Sequence, residues 1–378
     1  MTYYDKVTQH EIFVQRFASY LNNNYPQKNL ETSKKAVLRI LGEMQGQPVN
    51  QITRAIEKEL MRLGVESWRG VSDELKEFAE QEAKHFAKTF EAVHGVALTI
   101  PPAKSVAKYV AEQMIVLGHG ATQQAGLWSD YVKASNADVV KMVNNQVRAG
   151  LGDGETLRQI SQRIDNATGG VLKNRVEALV RTALNHYSIQ AKEAVVAQNH
   201  DVIESRYFNS VFDNRRTLIC SNYASSDENP WKITDTNYPK LPLHFGERSN
   251  WVFLLKGQKA PDGTRASVGG QDTKEAADRY NRRKEALETR RNNPNIESET
   301  SSQVKYRGRK DSDTFKAGQI KAETKADDWL RDQPRWFVES NMGKERARLF
   351  LDEGYNINSF VDEVTGRELT LKELYAMG

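Results

Sequence analysis

Residues 172–213 have the sequence "LKNRVEALVRTALNHYSIQAKEAVVAQNHDVIESRYFNSVFD", and the spacing of apolar residues changes within it. The second part, "SRYFNSVFD", is rich in aromatic and β-branched residues, which favours a strand. The first part repeats apolar residues at three- and four-residue steps, the stripe of an amphipathic helix, at Val176, Leu179, Val180, Ala183 and Tyr187. The stretch therefore predicts that helices give way to strands near residue 200.

The segment before this stretch keeps a helical period from residue 1 onwards. Within it, "SDELKEFAEQEAKHFAKTFEAV" begins with the pair Ser72 and Asp73, residue types that cap helix N-termini. Pro101 and Pro102 interrupt the pattern further on, because proline does not continue a helix. We expect a smaller helical region at the N-terminus and a longer run of helices after it.

The segment after the stretch contains a second predicted strand, "NWVFLL", and an irregular excursion rich in Asn, Asp, Pro and Ser before it. Beyond residue 255 the chain has few aliphatic and many charged residues, which is typical of a flexible insert; "TKEAADRYNRRKEALETRR" within it favours a solvated helix. Large apolar residues return towards the C-terminus. We therefore predict a predominantly helical α+β fold in four parts: an N-terminal helical region (1–70), a domain of helices then strands (71–255), a charged flexible insert (256–320) and a C-terminal helical segment packed on the domain (321–378).

Composition and charge limit the classes of protein to which the chain can belong. The 378 residues carry a net charge of +4 and a single cysteine, so no internal disulfide forms and a reducing cytoplasm suits the chain. No window approaches the roughly 18 apolar residues of a membrane span, and the N-terminus lacks the pattern of a secretory signal. The positive charge is below the bias expected of a dedicated nucleic-acid binder.

Cys220 and His244 lie on either side of the predicted excursion, with Glu247 three residues after the histidine. A closed zinc site needs four ligands, and no ligand spacing connects Asp213 or Asp227 to this pair. We therefore interpret Cys220 as a small buried side chain and predict no metal and no cofactor. A metal site and a thiol catalyst are the alternatives, with Cys220 and His244 as the weak metal candidates.

Motifs of several enzyme classes are missing from the sequence. The segment "GLGDGETL" lacks the third glycine of a dinucleotide-binding loop, and no GxxxxGK[ST] of a packaging ATPase occurs. Neither HExxH nor GxSxG is present. The sequence therefore offers none of these motifs as a catalytic or nucleotide-binding site.

Basic residues cluster in the charged insert, next to Tyr280 and Tyr306. Lysine and arginine on a flexible segment neutralise phosphates and release counterions, which gives sequence-independent binding. Interspersed glutamates leave the insert only moderately positive, so a solvated linker is the alternative to nucleic-acid contact. The candidate DNA-binding residues are Arg282, Arg283, Lys284, Arg290, Arg291, Lys305, Arg307, Arg309 and Lys310.

Six motifs follow one another along the chain, and their order is more specific than any one of them: "RTALNHYSIQAKEAVVAQN", "ESRYFNSVFDNRRTLIC", "LPLHFGERS", "GTRASVGG", "ADDWLRDQPRWFVESNMGKERARLFLDEG" and "LTLKELYAMG". Together they resemble the minor head proteins of tailed phages, the Mu F-like or head morphogenesis family. The likeness covers about residues 70–378. The residues that match the family motifs are Arg181, Thr182, Asp213, Arg216, Thr217, Cys220, His244, Arg248, Trp329 and Leu330.

The resemblance implies a low-copy protein of the capsid interior near the portal vertex, present in the host cytoplasm during assembly. It implies a role in head assembly, DNA packaging or genome ejection, and a protein that is not an enzyme. The implied partners are the portal protein, the major capsid or scaffolding protein, and phage DNA bound without sequence preference; no membrane is implied. Two alternatives remain: a purely structural scaffold without DNA contact, and a head-carried nuclease or toxin-like transferase that uses Asp213, His244, Glu247 and Arg248.

The chain departs from the family pattern at two places. Many relatives have a cysteine pair in the second quoted motif and a cysteine after the histidine of the third, so their set resembles a zinc site. Here Cys220 and His244 occupy two of these places, but Glu247 stands where a cysteine is common, which implies an incomplete ligand set. Relatives also tend to run from the "RAS" turn almost directly into the helix that begins at "WL". Here about 50 charged and polar residues, 271–319, intervene, and we expect this insert to contact DNA or a partner.

Overall fold

The computed structural model describes residues 2–118, 122–168, 172–292, 314–362 and 364–377. Its first half is a bundle of helices, with a small antiparallel pair of strands, β1 (Ile115–Leu117) and β2 (Gln124–Gly126), at one end. The helices of the bundle are α1 (Tyr3–Asn22), α2 (Lys28–Glu43), α3 (Val49–His94), α4 (Ala103–Glu112), α5 (Trp128–Gly152), α6 (Leu157–Ala167) and α7 (Lys173–Val196).

Helix α3 is the centre of the bundle and packs against α1, α2, α4, α5 and α7. The prediction that a helix begins at Ser72 and Asp73 is wrong, because α3 runs through them without a break. The Ser72 hydroxyl donates to the Trp68 carbonyl (2.8 Å) and accepts from the Trp128 indole (2.9 Å) instead of capping an end. The boundary expected after residue 70 therefore falls inside one continuous helix.

The change from helices to strands is confirmed. Strand β3 (Ile203–Asn209) pairs antiparallel with β4 (Trp231–Lys232) on one side and with β5 (Asn250–Leu255) on the other. Helix α8 (Leu218–Ser225) lies in the connection between β3 and β4, and α7 packs against β5. The fold is thus predominantly helical α+β, as the sequence predicts.

The described parts of the segment 256–320, which the sequence predicts to be a flexible insert, contain regular secondary structure. Strand β6 (Thr264–Gly270) pairs along its length with β7 (Phe315–Lys321), so "RASVGG" is a strand and not a turn. The Val268 amide also donates to the Phe212 carbonyl at 2.8 Å, which joins this sheet to the loop after β3. Helix α9 (Lys274–Asn292) forms where the sequence favours one. Residues 293–313 lie outside the described ranges.

The C-terminal segment is helical and packs on the rest of the chain. The rings of Phe212 and Trp329 lie 5.1 Å apart, and the buried apolar residues from Tyr3 to Leu374 form one continuous core. None of the described helices combines the length and hydropathy of a membrane span. The segment contains α10 (Ala326–Arg331), α11 (Arg335–Met342), α12 (Lys344–Asp352), a short 3-10 helix (Ile357–Phe360) and α13 (Leu371–Met377).

Candidate metal site between helix α8 and strand β5

The first half of the site is the N-terminus of α8. Thr217 caps this helix, since its hydroxyl accepts the backbone N–H of Cys220 at 3.4 Å. The cap places Cys220 in the first turn, where its side chain is buried. Threonine at the cap position is a strong local signal for a helix start, so the position of the thiol follows from the sequence around it.

The second half is a tight turn just before β5. The Glu247 amide donates to the His244 carbonyl at 3.2 Å, which brings the side chains of these residues to the same region. Gly246 has φ of +74°, a backbone conformation that favours glycine. Its amide donates to the Thr182 hydroxyl at 2.9 Å, so the turn is held against α7.

The two halves bring three potential metal ligands together. The Cys220 Sγ lies 3.3 Å from His244 Nε2 and 3.3 Å from Glu247 Oε2. The His244 Nε2 and Glu247 Oε2 atoms lie 3.1 Å apart. The Thr217 hydroxyl is also close, at 3.1 Å from the sulfur and 3.3 Å from Nε2. A thiol, an imidazole and a carboxylate thus converge on one point.

Neighbouring backbone groups orient these side chains. The Phe245 carbonyl lies 3.1 Å from His244 Nδ1 and only accepts hydrogen bonds, so Nδ1 carries the proton. This leaves Nε2 facing the sulfur and the carboxylate. The Glu247 Oε1 atom accepts from the amides of Arg248 (2.9 Å) and Ser249 (2.8 Å), and Oε2 faces the other ligands.

Burial shapes the electrostatics of the thiol. Removal from water, and then the nearby Glu247 carboxylate, raises the pKa of Cys220 well above its ordinary value. Hydrogen bonds from Thr217 and Ser249 act in the opposite direction and are weaker. The thiol is therefore protonated at neutral pH unless a cation is bound, so a free thiolate nucleophile is not favoured here.

Asp213 and Arg248, two of the residues considered for catalysis, are engaged with each other. Arg248 donates to both carboxylate oxygens of Asp213, at 2.7 and 2.9 Å. Burial alone would raise the pKa of Asp213, but the hydrogen bonds and charge of Arg248 lower it below its ordinary value. The pair links the loop before α8 to the turn before β5 and leaves neither charge free.

The remaining motif residues are distributed around this site. Arg181 donates to Glu177 (2.8 Å) and to Gln15 of α1 (2.5 Å), neither of which belongs to the site. Arg216 is buried with its guanidinium 4.2 Å from the Phe212 ring centre; burial, and next the charge of Arg265, lowers its pKa to about 9. The motif residues that the structure packs around the site, directly or through Phe212, are Thr182, Asp213, Arg216, Thr217, Cys220, His244, Arg248 and Trp329. Leu330 is buried in the continuous core.

Glu247 completes the group of three ligand atoms, contrary to the expectation from the sequence. It was expected to leave the ligand set incomplete, yet its carboxylate lies as close to the sulfur as the imidazole does. The available signal was the spacing His-Phe-Gly-Glu, because a glycine between residues three apart favours a turn that brings them together. Asp227 lies elsewhere and pairs with Lys325.

The candidate DNA-binding residues are only partly described. Arg282, Arg283 and Lys284 are exposed on α9, which is anchored by the Tyr280 ring at 5.3 Å from that of Trp336. The side chains of Arg290 and Arg291 lie outside the part of the chain that the structure describes. Four further candidates lie outside the described ranges: Lys305, Arg307, Arg309 and Lys310.

Comparisons of the chain with protein-family models, with curated proteins and with solved structures found no match. The resemblance to the Mu F-like family therefore stays a prediction that depends on the motifs. The other evidence that bears on function is the set of contacts between the motif residues.

Proposed function

We propose that this chain is a minor head protein of a tailed phage, held in few copies inside the capsid near the portal vertex. It contributes to head assembly, DNA packaging or genome ejection by binding, without catalysing a reaction. Its partners are the portal protein, the major capsid or scaffolding protein, and DNA. The resemblance of the motifs supplies this proposal, and their arrangement in space supports it.

The observation that carries the proposal is the packing of distant motifs into one unit. Thr182 of the first motif accepts a hydrogen bond from Gly246 of the third (2.9 Å). Asp213 of the second motif pairs with Arg248 of the third. Motifs that form a common structural unit are expected to be in contact, whereas chance matches have no reason to be.

The C-terminal motif joins the same unit. The ring of Trp329 packs against that of Phe212 at 5.1 Å, and the Arg216 guanidinium lies 5.2 Å from the Trp329 ring centre. Buried aromatic contacts of this kind fix two segments relative to each other. The unit therefore offers a rigid platform for docking on another protein.

A binding role also agrees with the state of the polar groups. Asp213 is neutralised by Arg248, and Glu247 Oε1 is occupied by two backbone amides. An acid–base enzyme keeps a titratable group available to its substrate. These carboxylates serve the structure of the turn instead.

DNA contact is assigned to the outer face of α9. Tyr280 packs on Trp336 of the C-terminal segment and Ala276 of the same helix is buried, while Arg282 and Lys284 are exposed. A fixed helix with exposed cations contacts phosphates without reading bases. This supports non-specific binding that weakens as the salt concentration increases.

The proposal is tested by capture on portal assemblies. The purified full-length chain is mixed with portal protein from the same phage and with a portal protein from an unrelated phage, and complexes are separated by sedimentation. We expect saturable binding to the cognate portal only. Equal binding to both portals, or none to either, would contradict the assignment to the portal vertex.

A further inference from the structure

We propose that Cys220, His244 and Glu247 bind one zinc ion, which joins the N-terminus of α8 to the turn before β5. Their ligand atoms all lie within 4.8 Å of one another, and no other group of three or more such ligands was found among the described residues. The Thr217 hydroxyl is the neutral oxygen closest to a fourth position. The inference does not depend on the proposed phage function.

The ligand separations fit a tetrahedral zinc ion. Typical zinc–ligand bond lengths and tetrahedral angles give about 3.5 Å between sulfur and a nitrogen or oxygen ligand, and about 3.3 Å between nitrogen and oxygen. The corresponding separations here are 3.3, 3.3 and 3.1 Å. Each is shorter by about 0.2 Å, which small side-chain rotations recover.

The direction of the lone pairs on His244 and Glu247 is a second argument for a bound cation. The Phe245 carbonyl accepts from Nδ1 of His244, so in the neutral imidazole Nε2 carries a lone pair. That lone pair faces Glu247 Oε2 at 3.1 Å. Two acceptors at this distance repel unless a second imidazole proton or a cation lies between them. A divalent cation satisfies both of them together with the sulfur.

The backbone groups around the three ligands form the hydrogen bonds that commonly orient metal ligands. Metal-bound histidines commonly donate their other N–H to a carbonyl, and metal-bound carboxylates are themselves hydrogen-bonded. His244 does the first through Phe245, and Glu247 does the second through the amides of Arg248 and Ser249. These contacts hold the ligands in place before the ion arrives, which reduces the entropy cost of binding.

The donor set selects the metal. A thiolate and an imidazole favour zinc over magnesium or calcium, which prefer oxygen ligands alone. A thiolate and a carboxylate together carry two negative charges, which Zn²⁺ neutralises in this buried place. The ion would connect residues 217–220 with residues 244–247, and the hydrogen bond from Gly246 to Thr182 connects the latter to α7. The role of the ion is therefore structural.

Cobalt is the probe that tests the site. The full-length protein is purified, treated with a chelator, and titrated with Co²⁺ while its absorption spectrum is recorded. We expect saturation at one equivalent, a sulfur-to-cobalt charge-transfer band, visible bands of tetrahedral intensity, and displacement by Zn²⁺. Cys220→Ser should abolish the charge-transfer band.

Two further variants separate a built site from chance binding by a cysteine. His244→Gln and Glu247→Gln each remove one ligand, and Gln at 247 keeps an oxygen for the backbone amides; each should weaken Co²⁺ binding at least about 10-fold. His200→Gln, an exposed histidine outside the site, is the matched control and should bind as the unmodified chain does. Circular dichroism checks that each variant folds.

The outcomes decide the proposal in either direction. Failure of the unmodified protein to bind one equivalent of Co²⁺ would overturn it. So would unchanged affinity in both His244→Gln and Glu247→Gln, since the cysteine would then bind an adventitious ion only. Should Cys220→Ser not fold, the titration of the unmodified chain and these two variants still give the answer.

Discussion

Helix α1 is fastened to the bundle by a buried ionic network, and its central cation is Lys192 of α7. The Lys192 ammonium lies 3.1 Å from Glu82 of α3 and 3.6 Å from Glu11 of α1. Glu82 also accepts from the Ser188 hydroxyl at 2.7 Å and contacts His10 at 2.5 Å. The side chains of Lys192 and Glu82 are only 6% and 1% exposed, so water screens this interaction little.

We predict that Lys192→Met destabilises the protein by about 3–5 kcal/mol at pH 7, because removing one partner of a buried pair leaves charge uncompensated. Burial alone would raise the pKa of Glu82, but Lys192, followed by His10 and Ser188, lowers it from 4.5 to about 2. Lys192 is thus the first of the groups that keep this buried carboxylate ionised.

The loss of stability should depend on pH with a defined sign. In the unmodified protein the pKa of Glu82 is lowered, so its contribution is complete above about pH 4.5 and disappears as the pH falls towards about 2. In Lys192→Met the strongest group that lowers this pKa is lost while burial, His10 and Ser188 remain. The pKa of Glu82 should therefore rise, and the variant should lose less stability than the unmodified protein as the pH falls. The difference between the two proteins is therefore largest at neutral pH.

Urea unfolding followed by circular dichroism at pH 7 and near pH 4.5 measures both effects. Lys88→Met, which makes the same substitution at an exposed position of α3, is the control and should change stability by less than about 0.5 kcal/mol. A cost below about 1 kcal/mol for Lys192→Met at pH 7, or a cost that grows as the pH falls, would refute this reasoning.

Three further predictions concern the surface and the site. Replacing Arg282 and Lys284 by alanine should reduce the magnitude of the slope of log affinity against log salt concentration, for double-stranded DNA, by about two. The control Lys84→Ala with Lys88→Ala on α3 should leave this slope unchanged. An equal effect of both pairs, measured by fluorescence anisotropy across a salt series, would contradict the assignment of DNA contact to α9. The pure chain should not cleave DNA in the presence of Mg²⁺ or Mn²⁺, and cleavage on gels that His244→Ala abolishes would establish the nuclease alternative instead. Brief trypsin treatment should spare the bonds after Arg265 and Lys321, because both lie in the paired strands β6 and β7; rapid cleavage at either, identified by mass spectrometry, would show that this sheet does not persist in solution.

The parts of the fold that the sequence predicted are those with a clear period. Helix α7 repeats apolar residues every three or four positions, and β3 and β5 are aromatic runs that become buried. The false helix start at Ser72 has a different origin. A serine–aspartate pair favours a cap only when the preceding residues leave the helix, and here the Ser72 hydroxyl is used by Trp68 and Trp128.

Strand β6 was missed because its buried residues are polar. Arg265 and Ser267 face inwards while Thr264 and Ala266 are exposed, the reverse of the usual alternation. The Arg265 guanidinium lies 3.7 Å from the Phe212 ring centre and donates to the Thr324 carbonyl. A charge buried in this way depends on tertiary contacts that no local pattern contains.

The candidate metal site was half visible in the sequence. Cys220 and His244 attract attention by residue type, but 24 positions separate them, and only the fold shows that they touch. Glu247 required the conformation of the turn at Gly246. The ionic network of Lys192 was not predicted either, since its members come from three helices whose packing the sequence does not specify.

The central claim is that this chain works from inside a phage head, beside the portal. Quantitative mass spectrometry of purified intact particles tests it most directly, by comparing the amount of the chain with the amounts of portal and major capsid protein. The account predicts a fixed, low ratio to portal that does not change between preparations. Particles that lack the chain, or that contain about as many copies of it as of the major capsid protein, would contradict the account.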